Sequence, residues 1–262
     1  MPNPVRDSRI VFLHHSTGEV IWNGGLPRFI RDWNAGHGTN YILTELTYPA
    51  ATGGHGTLRR LLPERLFNQV VRDRYPWDNY PYDYWNLWVS HTGQQRDRSE
   101  LNLEDLAAAY DVVVFKHCFP VSLIKADDGA PDVTSPKKTL ANYKLQYEAL
   151  KQRMHQFPHT RFIVWTGAAQ TQATSSREEA ERAIQFSAWV KEVWDEKGDN
   201  IFVWDFRDLE TGGGLFLKPE GASGPDDPHP SRVLGSEAAP LLGRRIVDVI
   251  EGRGDQGSLT GR

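Results

Sequence analysis

Two segments carry side chains able to do covalent chemistry. In IVFLHHSTGEVIW (10–22) an apolar run ends in His14, His15 and Ser16, and in DDPHPS (226–231) two aspartates precede His229. A serine hydroxyl is a weak nucleophile at neutral pH and needs a base within hydrogen-bond reach. His229 is such a base: it can take the Ser16 proton and return it to a leaving alkoxide. A carboxylate on the other ring nitrogen would hold the tautomer and stabilise the imidazolium. Asp226, three residues before His229 in a Pro-containing turn, is the first choice for that carboxylate and Asp227 the second. Each segment also has a structural reading. STGE matches a helix N-cap with Glu19 three residues on, and DDPHPS matches a turn followed by a capped helix.

The elements that must position these residues follow from periodicity. Five runs (9–13, 41–46, 111–116, 161–166 and 200–206) are nearly continuous in apolar and β-branched residues, as strands buried on both faces of a parallel sheet are. Helical spacing lies between them: Leu26 to Trp33; Leu140 to Phe157, opened by Ser135-Pro136; a segment capped by Ser176 with Glu179 and stopped near Gly198; and a last helix from about Ser231 to Ile250. Strand alternating with helix predicts an open sheet covered on both faces. The expected fold is a flavodoxin-like three-layer α/β sandwich around a central five-stranded parallel sheet. Residues 1–252 read as one domain, with an aromatic-rich insertion near 72–103 and a second long loop over 207–230; residues 253–262 are expected to be a disordered tail. Ligands of such sheets bind beyond the carboxyl ends of the strands. Polar groups gather there: His14, His15 and Ser16 after the first strand, Gly53, Gly54 and His55 after the second, Lys116, His117 and Cys118 after the third, Thr166 and Gly167 after the fourth, and DDPHPS after the fifth.

A serine after strand one and an Asp-x-x-His before the last helix, in this order, resemble the SGNH (GDSL-like) hydrolase superfamily over about residues 9–250. The resemblance implies a serine esterase that needs no cofactor, with Ser16 as nucleophile and Asp226 and His229 from one late segment. It also implies a carbohydrate O-acyl, chiefly acetyl, ester as substrate. Its oxyanion donors would be the Ser16 N–H, a second-block glycine for which Gly54 stands, and a third-block Asn side chain. The chain departs from the family at that last position, because strand three ends in FKHCFPVS. His117 is the preferred substitute, with Lys116 and Ser122 as alternatives; Lys116 would instead draw acidic substrates such as uronates. Loss of one oxyanion donor typically costs about 10²–10³ in rate. His15 reads as a substrate contact or as a histidine bonded to nearby backbone, and Cys118 as a small buried residue rather than a nucleophile.

Composition narrows the classes. A net charge of −4 argues against a nucleic-acid binder, the single Cys118 excludes an intramolecular disulfide, and no apolar run reaches membrane-spanning length. The polar start, MPNPVRDSR, lacks the apolar stretch of a secretory leader, so a cytoplasmic location is expected. The expected partner is a small-molecule or glycan ester, with neither nucleic acid nor membrane. Segment 75–93 holds Trp77, Tyr80, Tyr82, Tyr84, Trp85 and Trp88. It is either a satellite core, since aromatics carry much of the burial energy, or a wall against which sugar rings stack, with Trp85 as the substrate-binding residue. Five histidines (14, 15, 55, 117 and 229) map to one edge, which raises a metal-dependent hydrolase as an alternative; no His-x-x-x-His pair supports it, and no metal ligand is assigned. A glycan-cleaving enzyme and a non-catalytic carbohydrate-binding relative are the remaining alternatives on this scaffold.

Overall fold

The computed structural model describes residues 7–48, 79–93 and 101–262; Gly53, Gly54, His55 and Trp77 lie outside them. Within these residues the chain runs β1 (Asp7–His14), α1 (Thr17–Asn23), α2 (Leu26–His37), β2 (Asn40–Thr47), α3 (Pro81–Trp85), α4 (Leu103–Ala109), β3 (Val112–Phe115), α5 (Leu140–Met154), β4 (Arg161–Trp165), α6 (Arg177–Trp189), β5 (Ile201–Trp204), α7 (Phe206–Thr211), β6 (Ala222–Gly224), β7 (Asp227–Pro230) and α8 (Arg232–Ile250). β1 to β5 form one parallel sheet in the order β2-β1-β3-β4-β5. This is the flavodoxin-like order, whose crevice opens where the order reverses, between β1 and β3.

The apolar runs form strands because both faces of the central strands are covered. Ile10, Phe12, Val112 and Val114 pack with Ile21, Leu26, Ile30, Leu242 and Ile246 of α1, α2 and α8. Val11, Leu13, Val113 and Phe115 face the other layer, with Leu106, Tyr147, Leu150 and Phe186 of α4, α5 and α6. The edge strand β2 departs from this pattern and leaves Ile42 52% exposed.

Three local expectations change. The helix expected to open at Ser135-Pro136 begins at Leu140 and is capped by Thr139, whose hydroxyl accepts the Asn142 N–H; Ser135 Oγ accepts the Lys137 N–H instead. The helix expected to run to Gly198 ends as α-helix at Trp189 and closes with a π turn over Val190–Trp194. Residues 253–262, expected to be disordered, fold back onto the end of the sheet. The Leu259 carbonyl accepts the Asp205 N–H at 2.8 Å and the Thr260 carbonyl accepts Trp204 Nε1 at 3.1 Å. Arg245, 1% exposed, donates Nη1 to the Gly254 carbonyl and Nε to the Val203 carbonyl. Buried donors need acceptors, and this glycine-rich segment supplies them.

One helix contact matters most for the site. A Cβ on Gly24, just after α1, would lie 2.3 Å from the Gly235 carbonyl oxygen of α8, and one on Gly235 would lie 2.7 Å from Val20 Cγ1 and 2.9 Å from Val20 O. α1 and α8 therefore meet backbone to backbone. Gly235→Ala gains helix propensity, up to about 1 kcal/mol, but overpacks this contact at a cost of about 1–3 kcal/mol. Its thermal midpoint should fall. Gly36→Ala, in α2 with no atom within 4 Å of the new methyl, should raise the midpoint in the same assay.

Candidate active site

β1 ends at His14, and the chain turns into α1 through His15 and Ser16. Ser16 takes φ 48°, ψ −99°, an uncommon region for a residue with a Cβ that costs about 1–3 kcal/mol where it is enforced. Its side chain does not cap α1; the Glu19 and Val20 N–H groups go to its carbonyl. The hydroxyl is instead hydrogen-bonded to His229 Nε2. His229 lies on β7, the second strand of a small antiparallel hairpin with β6. Phe119 packs edge-to-face on its ring at 5.0 Å.

The carboxylate behind His229 is Asp227, not Asp226. Asp227 Oδ1 lies 2.5 Å from His229 Nδ1 and also accepts the His229 N–H at 3.0 Å. Side chains two apart on a strand share a face. On β7 that face carries Asp227 and His229, while Pro228 and Pro230 are buried behind it. Asp226 sits outside the strand, exposed in the turn from β6. His229 holds the Asp227 carboxyl below its usual range, through hydrogen bonds to the side chain and main chain. The three groups make a continuous chain from hydroxyl to imidazole to carboxylate.

The substitute oxyanion donors are elsewhere. His117 is 1% exposed and its Nε2 is bonded to the Tyr147 hydroxyl at 2.7 Å, among Tyr84 and Phe115. Burial, then Lys116, lowers its pKa to about 3. Lys116 is fully buried, with Nζ on Cys118 Sγ at 3.0 Å, so it does not meet substrate. Ser122 Oγ donates to the Ala168 carbonyl. Trp85 is 9% exposed and packs on Tyr82, and Tyr80, Tyr84 and Trp88 belong to the core below the sheet. From residue 79 on, the aromatic segment is thus core, and its short helix α3 and following π turn (Asn86–Ser90) are more regular than its Pro and Asn content implied. Gly54 lies outside the described residues.

His15 and Ser16 do line a common cleft of about 1300 Å³, together with Glu19, Asn23, Ser223, Asp227, His229, Arg232 and Ser236. Glu19, Asn23 and Arg232 were not foreseen. A signal was present for the first two: 16, 19 and 23 fall at helical spacing on one face. His14 does not reach the cleft. It is 3% exposed, beneath Gly18, where a Cβ would stand 2.3 Å from His14 Cβ. Its Nε2 lies 2.9 Å from Glu45 Oε1 without hydrogen-bond alignment. Burial, then Lys116 and His15, lowers His14 to about 3, so the contact is not an ion pair at neutral pH. His14, His117 and His229 have separate partners, and among the described residues no three His, Cys, Asp or Glu side chains are grouped to hold a metal ion. No helix among those residues is long and apolar enough to cross a membrane.

The fold and site define an α/β protein of flavodoxin-like order with a serine–histidine–aspartate relay at the carboxyl edge of its sheet. No family model matches the chain, and no curated protein matches it. Among solved structures it is similar to a gut microbial diltiazem-metabolizing enzyme, BT4096, at 11% identity with a TM-score of 0.44, over 96% of this chain and 48% of that one. The chain spans about half the length of that enzyme, and a likeness of this size carries no functional argument.

Two buried histidines set a pH dependence. His14 and His117 resist protonation when folded but titrate near 6.5 when unfolded. The stability they allow is present above that value and is lost as pH falls from about 6.5 toward 3, because only the unfolded chain takes up the protons. Denaturant unfolding should show a lower midpoint at about pH 5 than at pH 7. The difference should shrink in His14→Asn and His117→Gln.

Proposed function

We propose that the protein is a serine hydrolase that cleaves esters. The observation that carries this reading is the unbroken relay from Ser16 Oγ through His229 to Asp227, at the sheet edge where such folds bind ligands. His229 takes the hydroxyl proton as Ser16 attacks the ester carbonyl, then delivers it to the departing alkoxide; water repeats the cycle on the acyl-enzyme. Asp227 keeps the His229 proton on Nδ1 and stabilises the imidazolium. The developing oxyanion needs donors already in place, and this reading assigns the Ser16 main-chain N–H first, with Gly54 as the second. The enforced φ of Ser16 supports a positioned role, since strain of this kind clusters at functional sites.

The polar lining of Glu19, Asn23, Ser223, Arg232 and Ser236 supports a small acyl group on a hydroxylated alcohol, a carbohydrate acetyl ester, over a long acyl chain. Trp85, buried against Tyr82, offers no open ring face for a sugar. Acetyl esters, including acetylated sugars, should be turned over faster than esters of longer acids with the same leaving group.

A fluorophosphonate probe should label the protein at Ser16. Ser16→Ala and His229→Ala should each reduce kcat/KM by about 10³-fold or more, and the double variant should be little worse, because the residues act as a unit. Asp227→Asn should cost about 10²-fold or more through the wrong tautomer, and Asp226→Asn should leave turnover unchanged. Wild-type turnover in Ser16→Ala would end the acyl-enzyme reading.

A further inference from the structure

At the end of β3 the chain is still extended, so Lys116 and Cys118, two residues apart, emerge on the same face while His117 points to the other. Lys116 is 0% exposed and its Nζ donates to Cys118 Sγ at 3.0 Å. That sulfur is the amine's sole hydrogen-bond partner among the described residues. A buried lysine is normally matched by a carboxylate, because an isolated buried charge is expensive. Here the hydrogen-bonding partner is a thiol, and the buried Glu210 carboxyl acts on Lys116 only through space. The contact holds nitrogen and sulfur 3.0 Å apart, with no other side chain between them. Thiolate character is what makes a cysteine oxidisable.

We propose that Lys116 and Cys118 are a redox modification site, joined by oxygen into a covalent N–O–S bridge. The amine and thiol react with one molecule of dioxygen. An N–O and an O–S bond form, one N–H and the S–H bond are lost, and the second oxygen atom leaves as water with those hydrogens and one more from the amine's charged form returned to solvent. In the neutral balance, R–NH₂ + R′–SH + O₂ gives R–NH–O–S–R′ + H₂O. Nitrogen and sulfur are each oxidised by two electrons and dioxygen is reduced by four. A dithiol supplies four electrons in two equivalents, restoring amine and thiol and releasing the bridging oxygen as water. One oxygen atom fits between atoms already a hydrogen bond apart, and the backbone need not move. Cys118 is 8% exposed and its Sγ lies 4.0 Å from the His15 carbonyl, one residue from Ser16. The sulfur thus lies directly behind His15, which lines the cleft, and once oxidised it has no S–H left for that carbonyl. The bridge does not depend on the hydrolase reading.

The test is mass spectrometry of the full chain after aerobic incubation, with and without dithiothreitol. The expected product has gained one oxygen and lost two hydrogens. Trypsin should fail to cut after Lys116 in it, fragmentation should place the change on residues 116–118, and dithiothreitol should restore both the mass and the cleavage. Lys116→Met and Cys118→Ala should each abolish the product. A thiol unchanged after incubation, a cysteine carrying two or three oxygens with Lys116 free, or the same product in Lys116→Met would overturn the proposal. The wild-type measurement decides the matter even where a variant fails to fold.

Discussion

The site depends on two helices approaching more closely than side chains normally permit. Ser16 and His229 are 213 positions apart, yet the helix after each packs against the helix after the other. Packed helix axes usually stand about 8–10 Å apart, with side chains setting the distance. Gly24 and Gly235 remove the side chains where α1 and α8 meet. Gly18 does the same where the first turn of α1 crosses the buried ring of His14. The turn at Ser16 is held from both sides, by the Tyr48 N–H on the His14 carbonyl and by the first N–H groups of α1 on the Ser16 carbonyl. An unfavourable φ persists because its neighbours leave the residue nowhere else to go.

The carboxyl edge of the sheet is polar for two different reasons. Its outer layer faces the cleft. Its inner layer satisfies backbone groups where strands end. Glu210, buried and raised to about 8 chiefly by that burial, accepts the Ala169 N–H at 2.6 Å. Arg207 reaches Ser122 Oγ and the Leu215 carbonyl. Asp205 joins Thr166 to Lys191. Lys116 and His117 belong to this inner layer. A sequence places both layers at the same strand ends, so residue type and position alone do not separate a substrate contact from a buried support.

The described part of the aromatic insertion, residues 79–93, braces the sheet. The Tyr84 hydroxyl donates to the Lys116 carbonyl, Trp88 Nε1 donates to the Tyr48 hydroxyl, and Asn79 bridges the Tyr48 carbonyl and the Cys118 N–H. These bonds tie the ends of β2 and β3 together beneath the turn at Ser16. Large rings bury much apolar area, and their polar tips fall where two strands leave unpaired main-chain groups.

Much of the architecture was legible in residue order. Continuous apolar runs mark strands covered on both faces, and all five expected strands are present within a few residues of their expected ends. The Ser176 and Ser231 caps are read from local chemistry, because a cap bonds only a few residues along its own chain. Ser16 and His229 were legible as reactive residue types, the first at the carboxyl end of a core strand and the second in the loop before the last helix. What tertiary structure decided was direction. Asp227 rather than Asp226 meets His229 because a hairpin with β6 makes 227–230 a strand, and strand alternation then fixes the face. Thr139 rather than Ser135 caps α5, and the last ten residues pack because buried donors of Trp204 and Arg245 require their carbonyls. His117 and Trp85 are buried instead, His117 among Tyr84, Phe115 and Tyr147 and Trp85 against Tyr82. Such choices rest on which elements pair and pack, from a hairpin partner a few positions away to a carbonyl 56 positions away, and residue type alone does not say which of two neighbouring side chains will find its partner.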